Sequence, residues 1–507
     1  MKKSMFAFLI FITLQGIIRS QNFSPYFTLE QHDLYLEYLI YNGSLKVKHP
    51  LSQPFATDDI LENLPNENNQ SFNKHWLGLL NNDLLKFSSS NDTSVSHGKL
   101  YAGATLGDRI TGVENEWNNY LFGNLFAGYN YKNAGLFYKH NVDQKYADDS
   151  VYFGSTGKIT DKVIGRASEA YIQWNLKNLR LFMGRMNRNF GIINEPGLLL
   201  SDNPYSYDHI GLGFSNDLLN YTFLFTRLND IYGFDIRDSL QNYSWNRRYL
   251  SVHRFELSIL KNLEFAFTEA ILFGGKDPSV RFQYINPVNI FFFSKMSDRK
   301  SYEEQNANAY MSFEIFYKPV RKVTLFGQLF IDDIDVKKEL REQFPDRLGW
   351  SAKAIYSDPF PGSQLSLKYN RISNWTYNSF YTWGNYTFYG KSLGYPMNGT
   401  ENLTFSINYF RLTPFIFSLD LKASRQRKQD LDAAFIAEKT KFPIGTASKS
   451  FSSLLHITFF PKTYLIADLS LEYISYQNFE NIEMNNKSFV NLLFTLKAIG
   501  VIEILNR

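Results

Sequence analysis

From about residue 97 onward, apolar and polar residues alternate with a period of two. Leu365, Leu367 and Tyr369 alternate with Gln364, Ser366, Lys368 and Asn370. Leu403, Phe405, Ile407 and Tyr409 alternate with Thr404, Ser406, Asn408 and Phe410. Leu465, Ala467, Leu469, Leu471 and Tyr473 alternate with Tyr464, Ile466, Asp468, Ser470 and Glu472. Successive side chains of a strand point to opposite faces, so this rhythm predicts strands with one apolar face. Residues 22–96 read differently. Thr57, Asp58 and Asp59 precede an apolar rhythm at Ile60, Leu61 and Leu64, which predicts a capped helix with an acidic first turn. Trp76, Leu79, Leu80 and Leu84 fall at helical spacing between His75 and Leu85.

Alternation alone does not separate a soluble sandwich from a membrane barrel; the connections do. Tight turns are expected at Lys132–Ala134, Lys177–Asn178, Ser215–Leu219, Lys261–Asn262, Pro319–Lys322, Ser357–Gly362, Arg411–Pro414 and Pro461–Thr463. Around and between them lie longer polar stretches near 106–118, 142–166, 188–210, 229–248, 273–309, 332–347, 372–402, 425–449 and 474–487. Outer-membrane barrels carry short turns on the periplasmic rim and long loops on the external rim. Eight tight hairpins, a first strand near 97–105 and a last near 488–497 predict about 18 strands. The fold class is therefore all-β, a closed antiparallel transmembrane barrel. An even strand number places both barrel ends on the short-turn rim, beside a small periplasmic helical region.

Composition sharpens this. The chain has 507 residues, 17% of them aromatic, with 46 Phe and 33 Tyr. Lys2 and Lys3, the apolar run Met5–Ile18 and Ser20 read as a signal peptide. The expected organisation is a signal peptide at 1–20, a periplasmic helical segment at 21–96 and a barrel at 97–507, in a bacterial outer membrane. Lys2, Lys3 and Arg19 account for three of the 53 basic residues, leaving 50 against 49 acidic ones. That balance excludes the electrostatic footprint of a nucleic-acid binder. With no cysteine, disulfides and thiol chemistry are also excluded.

Charges on the polar faces include Arg254, Glu256, Glu264, Glu314, Lys368, Asp420, Lys422, Asp468 and Glu472. A mid-strand Lys or Arg facing lipid costs about 2–4 kcal/mol, so these side chains are expected to line the lumen. Most would fill it by pairing; a hydrophilic track for a polar ligand is the sharper alternative. The eight histidines show no metal-ligand spacing, and no nucleophile-elbow motif appears. Asp332, Asp333 and Asp335 end a strand, where a solvated turn is commoner than a calcium site. His456 is the best-placed lumen histidine for a barrel hydrolase, though a lone inward His is more often a satisfied polar residue. No catalytic residue, metal or cofactor is assigned, and the protein is not read as an enzyme. The loop at 372–402 gathers Trp375, Tyr377, Phe380, Tyr381, Trp383, Tyr386, Phe388 and Tyr389. Such rings either stack on sugars or form a girdle at the lipid–water boundary.

Residues 184–204 run from Gly184-Arg185 through Phe190-Gly191 and Gly197-Leu198-Leu199-Leu200-Ser201 to Asn203-Pro204. With Tyr284-Ile285-Asn286-Pro287, the Phe326–Asp333 strand and Gly394-Tyr395-Pro396, this resembles the Wzi-type capsule assembly proteins and their gliding-associated relatives. The resemblance implies an outer-membrane barrel of 18 strands that binds or guides extracellular polysaccharide in a lectin-like, non-catalytic way. Alternatives are a porin-like channel for small polar solutes or a surface component of gliding motility. It implies partners in outer-membrane lipid, polysaccharide and capsule export or gliding machinery. By it, Arg185, Arg188, Asn203 and Asn286 lie on loops over or in the lumen; the aromatic loop adds Trp375, Tyr381 and Trp383 as candidate ligand contacts. Arg185 is expected to reach inward and hold its loop through a carboxylate. Gly184, Gly191 and Gly197 are expected to serve backbone geometry.

Overall fold

The computed structural model describes residues 33–61, 63–64, 73–87, 98–114, 116–153, 165–233, 243–276, 280–297, 307–333, 346–428, 431–433, 435 and 441–506. The signal peptide expected at 1–20 lies outside them, as does Asp335. Eighteen strands follow one another around a barrel. The first six are β1 Lys99–Val113, β2 Glu116–Tyr131, β3 Ala134–Asp143, β4 Gly165–Leu176, β5 Leu179–Met186 and β6 Tyr207–Ser215. Next come β7 Leu219–Arg227, β8 Ser244–Leu260, β9 Leu263–Gly275, β10 Ala307–Val320, β11 Val323–Asp333 and β12 Arg347–Ser357. The last are β13 Ser363–Ile372, β14 Thr400–Tyr409, β15 Phe415–Gln426, β16 Ser448–Lys462, β17 Leu465–Gln477 and β18 Lys487–Asn506. Each pairs antiparallel with its neighbours. β1 closes the sheet on β18, from Lys99 opposite Asn506 to Val113 opposite Asn491. Closure leaves no edge whose backbone groups lipid would strand.

Register puts the apolar sets where alternation predicts. Leu365, Leu367 and Tyr369 lie opposite Ile407, Phe405 and Leu403, and the latter two residues of β14 meet Leu421 and Ala423. Leu106, Leu125, Met183, Leu403 and Leu471 are exposed on this outer face, which suits lipid. The eight tight turns fall where expected and join β2–β3, β4–β5 and so on to β16–β17. One expectation fails. The stretch 106–118 is not a long loop: β1 continues to Val113, and β2 begins at Glu116. Gly107, Asp108 and Arg109 read as turn residues, yet Arg109 bonds Asp143 at 3.2 Å across the lumen face. A paired charge on the wet side lets a polar run remain a strand.

The lumen is filled from both ends. Three helices, α1 Asp33–Tyr41, α2 Thr57–Leu61 and α3 Asn73–Phe87, occupy the short-turn end. Tyr35, Tyr38, Tyr41 and Trp76 pack there against Phe316, Phe326, Phe410 and Phe460 from the strands. Tyr38 stacks on Phe410 with centroids 4.2 Å apart. From the other end, residues 187–206 and 373–399 descend into the barrel and bury Leu198, Leu199, Leu200, Tyr377, Tyr386 and Leu393. The two fillings meet where Ser52–Gln53 pairs antiparallel with Asn189–Phe190. None of the described helices is long and apolar enough to cross a membrane.

Candidate functional site

The lumen contacts start from charges on the strands. Arg254 on β8 is fully buried and grips Glu314 on β10 with two bonds of 2.8 Å. Its guanidinium also donates to Thr268 and to the Leu51 carbonyl, 2.8 Å away. Glu37 of α1 bonds Lys353 at 3.1 Å, and Lys353 also reaches Glu195 of the descending loop at 3.0 Å. Lys368 closes that network on Glu195 at 2.7 Å. Plug, loop and wall thus share two carboxylates and two ammonium groups, and of the charges expected inside, Arg254, Glu314 and Lys368 are satisfied by pairing. His456 sits in a smaller group, 3.2 Å from Asp468, which also accepts from Thr458 at 2.8 Å.

Loop 373–399 is held from behind. Arg248 donates to the carbonyls of Asn385 (3.0 Å) and Thr387 (2.6 Å). Asp332 accepts from the Tyr377 amide at 2.8 Å, and Arg347 pairs with Asp332 and Asp333. These two aspartates therefore serve the loop. Trp375, Tyr381 and Trp383 are buried within it, at 4%, 6% and 4% exposure. Tyr381 and Trp383 stack on each other at 4.2 Å, and Arg427 lies 4.6 Å over Trp375. Their ring faces meet protein rather than the girdle at the lipid boundary.

The remaining sequence-named residues do not converge. Arg185 makes the expected bidentate pair with a carboxylate, Nε to Asp208 Oδ1 at 3.2 Å and Nη2 to Oδ2 at 2.5 Å. The geometry corrects its direction: Arg185 shares the outward face of β5 with Leu181 and Met183 and bonds the neighbouring strand. Arg188 is buried against His209 (3.4 Å) and Phe182. Asn286 also corrects an expectation. Its segment does not enter the lumen but lies against the outer wall. There α4 Phe282–Ile285 and α5 Phe291–Ser297 cover Phe223, His253, Ile271 and Phe273. Glu269, an outward-facing carboxylate in mid-strand, caps α5 by accepting from the amides of Phe291 (2.9 Å) and Phe292 (2.5 Å). Asn286 itself accepts from Val288 in a local turn. Gly184 (φ +141°) and Gly197 do serve the backbone: a Cβ on Gly197 would stand 2.1 Å from the Phe190 carbonyl oxygen. Gly191 has ordinary space around it.

Two cavities flank the central column. One of about 810 Å³ lies at the short-turn end and is lined by Arg180, Arg188, His209, Asn216 and Asn220. The other, about 520 Å³, separates the β3–β4 wall from the loop 187–206 and includes Asn203. Tyr146, Tyr205 and Lys391 line it towards the long-loop rim. Arg166 donates to the Ser206 carbonyl and hydroxyl at 2.9 and 2.7 Å, which leaves its Nε buried without a partner. Asn141 Oδ1 and Asn187 Oδ1 are buried acceptors, likewise unpartnered. Asn187 spends its amide hydrogens on the Asp202 and Pro204 carbonyls, and Asn203 spends one on Ser392. The rim is fixed by Asp149, which takes Lys391 at 2.7 Å and the Tyr205 hydroxyl. Burial raises the Asp149 carboxyl, but those bonds outweigh it and hold the group below the usual carboxylate range. Sequence reasoning missed Asn141, Tyr146, Arg166 and Lys391. They carry no motif, and only the fold brings them to one wall.

No curated protein sequence matches the chain. Among solved structures, it resembles Wzi of Escherichia coli, described as an outer membrane protein involved in group 1 capsule assembly and a carbohydrate-binding β-barrel. The TM-score is 0.59 at 12% identity, over 94% of this chain and 99% of that one. Pseudomonas aeruginosa OprD follows at a TM-score of 0.46 and 10% identity, covering 80% of this chain and 96% of that one. The family model for capsule assembly protein Wzi matches residues 96–487. The match spans β1 to the start of β18, and this outer-membrane barrel belongs to the Wzi capsule assembly family.

Proposed function

We propose that the protein binds a surface polysaccharide, without catalysis, in the cavity between the β3–β4 wall and the loop 187–206. The observation that carries this reading is the chemistry of its lining. Three residues there, Asn141, Arg166 and Asn187, hold buried hydrogen-bonding atoms with no protein partner. Two are acceptors and one is a donor, which matches sugar hydroxyls that donate and accept at once. Tyr146 and Tyr205 add ring surface, and Asn203 a further amide. Family membership and the carbohydrate-binding description of E. coli Wzi support the same reading. Trp375, Tyr381 and Trp383 serve the site from within, by keeping the neighbouring loop rigid. The short-turn rim with its helices faces the periplasm, and the cavity opens towards the cell surface.

The test is retention of the cell's own surface polysaccharide by purified protein in detergent, extended to a glycan array. Replacing Arg166 and Asn187 together by Ala removes one charged and one neutral partner. Retention is expected to weaken about thirtyfold to two-thousandfold, since such bonds contribute about 0.5–1.5 kcal/mol between neutral groups and about 1.5–3 kcal/mol to a charged one. Glu472→Gln, on a lumen face away from this cavity, is expected to leave it unchanged. No glycan signal, together with large open currents in bilayers, would favour the porin reading instead.

A further inference from the structure

A second cluster lies where the N-terminal segment runs against the inner wall of the barrel at the short-turn end. His49 belongs to that segment, and Glu256 and Glu264 project inward from β8 and β9. One ligand atom from each lies within 4.8 Å of the other two. His49 is 4% exposed. Its Nε2–H donates to the Asn216 carbonyl at 2.7 Å, so Nδ1 is the ring nitrogen turned towards the carboxylates. That Nδ1 is buried, has no hydrogen-bond partner and faces Glu264 Oε2 at 4.0 Å. A ring nitrogen oriented by a carbonyl on its far side is the arrangement found in histidine metal ligands. The carboxylates are supported in the same way. Glu256 accepts from the Leu51 amide and the Ser52 hydroxyl at 2.9 and 2.7 Å, and Glu264 accepts from Ser258 at 2.7 Å.

Charge points the same way. Arg254 lies 4.0 Å from Glu256, but both its terminal nitrogens are committed to Glu314. With their three carboxylates ionised, Arg254, Glu314, Glu256 and Glu264 together leave two negative charges. Among the described residues no other Lys or Arg is within ion-pair distance of Glu256 or Glu264. Buried charge without compensation costs several kcal/mol per group. A divalent cation would cancel this excess, and imidazole with carboxylate is a donor set that zinc-class ions accept. At bond lengths of about 2.0–2.2 Å tetrahedral donors stand about 3.3–3.6 Å apart, so the widest pair would close by roughly 1 Å. The larger cavity adjoins the cluster: it is lined by Asn216, whose carbonyl accepts from His49, and by Asn220, whose amide lies 3.5 Å from Glu256.

We propose that His49, Glu256 and Glu264 bind one divalent cation of the zinc class, which fastens the N-terminal plug segment to the barrel wall. The experiment titrates zinc into the full-length protein in detergent after chelator stripping at neutral pH. One saturable equivalent per chain is expected, with a zinc-dependent rise in melting temperature. His49→Asn and Glu264→Gln should each weaken binding at least tenfold, and Glu472→Gln should not. Cobalt(II) in place of zinc should give the visible absorption of a nitrogen–oxygen site, lost in His49→Asn. Wild-type protein that binds no zinc saturably overturns the proposal, whatever the variants do. So does binding that both ligand variants retain.

Discussion

Arg254 shows what a single lumen charge does. It ties β8 to β10 through Glu314 and ties both to the plug through the Leu51 carbonyl and Ser52. Arg254→Ala leaves Glu314 buried without its cation, a loss of about 3–5 kcal/mol. The denaturant midpoint of the folded barrel in detergent should fall accordingly. An unchanged midpoint would mean that the pair contributes no net stability. The inward position of such charges was legible in the sequence, because strand parity assigns each side chain a face. Arg185 shows the same rule neglected: it shares parity with Leu181 and Met183, so an outward direction could have been read. The cavity residues were not legible. Asn141 and Arg166 are ordinary polar members of two strands, and only their register, Asn141 opposite Arg166, makes them neighbours.

At the scale of elements, legibility follows how one-sided the burial is. The helices near 57 and 75 were readable because each keeps a polar side. Helix α1 was not, because Tyr35 through Tyr41 are buried all round, Glu37 included, and no apolar stripe remains to mark a period. The long loops announced themselves by polarity and aromatic content, but not by destination. Loop 373–399 and the segment 282–297 are both rich in aromatics. One folds into the lumen and the other onto the outer wall, where Glu269 supplies a cap. Glu269→Ala should cost that cap about 0.5–2 kcal/mol. Hydrogen exchange across 282–297 is expected to rise while β8 and β9 stay protected. Equal protection in the variant would show that apolar contact alone holds the segment.

For the whole molecule, strand number and closure were readable from connection lengths, since short and long links alternate everywhere except at the short β1–β2 connection. The filling of the lumen was not, because plug and loops contact the wall only after closure. Glu37, Glu195, Lys353 and Lys368 join all three parts. Replacing Glu37 and Glu195 together by Ala strands two lysines in the centre. Planar-bilayer recordings should then show larger, fluctuating currents than the small ones expected of the wild type. Identical traces would mean that this network does not hold the column in place. The most direct test of the polysaccharide site is an experimental structure of the protein with an oligosaccharide cut from the cell's own surface polymer. Sugar rings are predicted against Tyr146 and Tyr205, with hydroxyls on Asn141, Arg166 and Asn187. Sugar density elsewhere on the barrel, with this cavity holding only water, would contradict it.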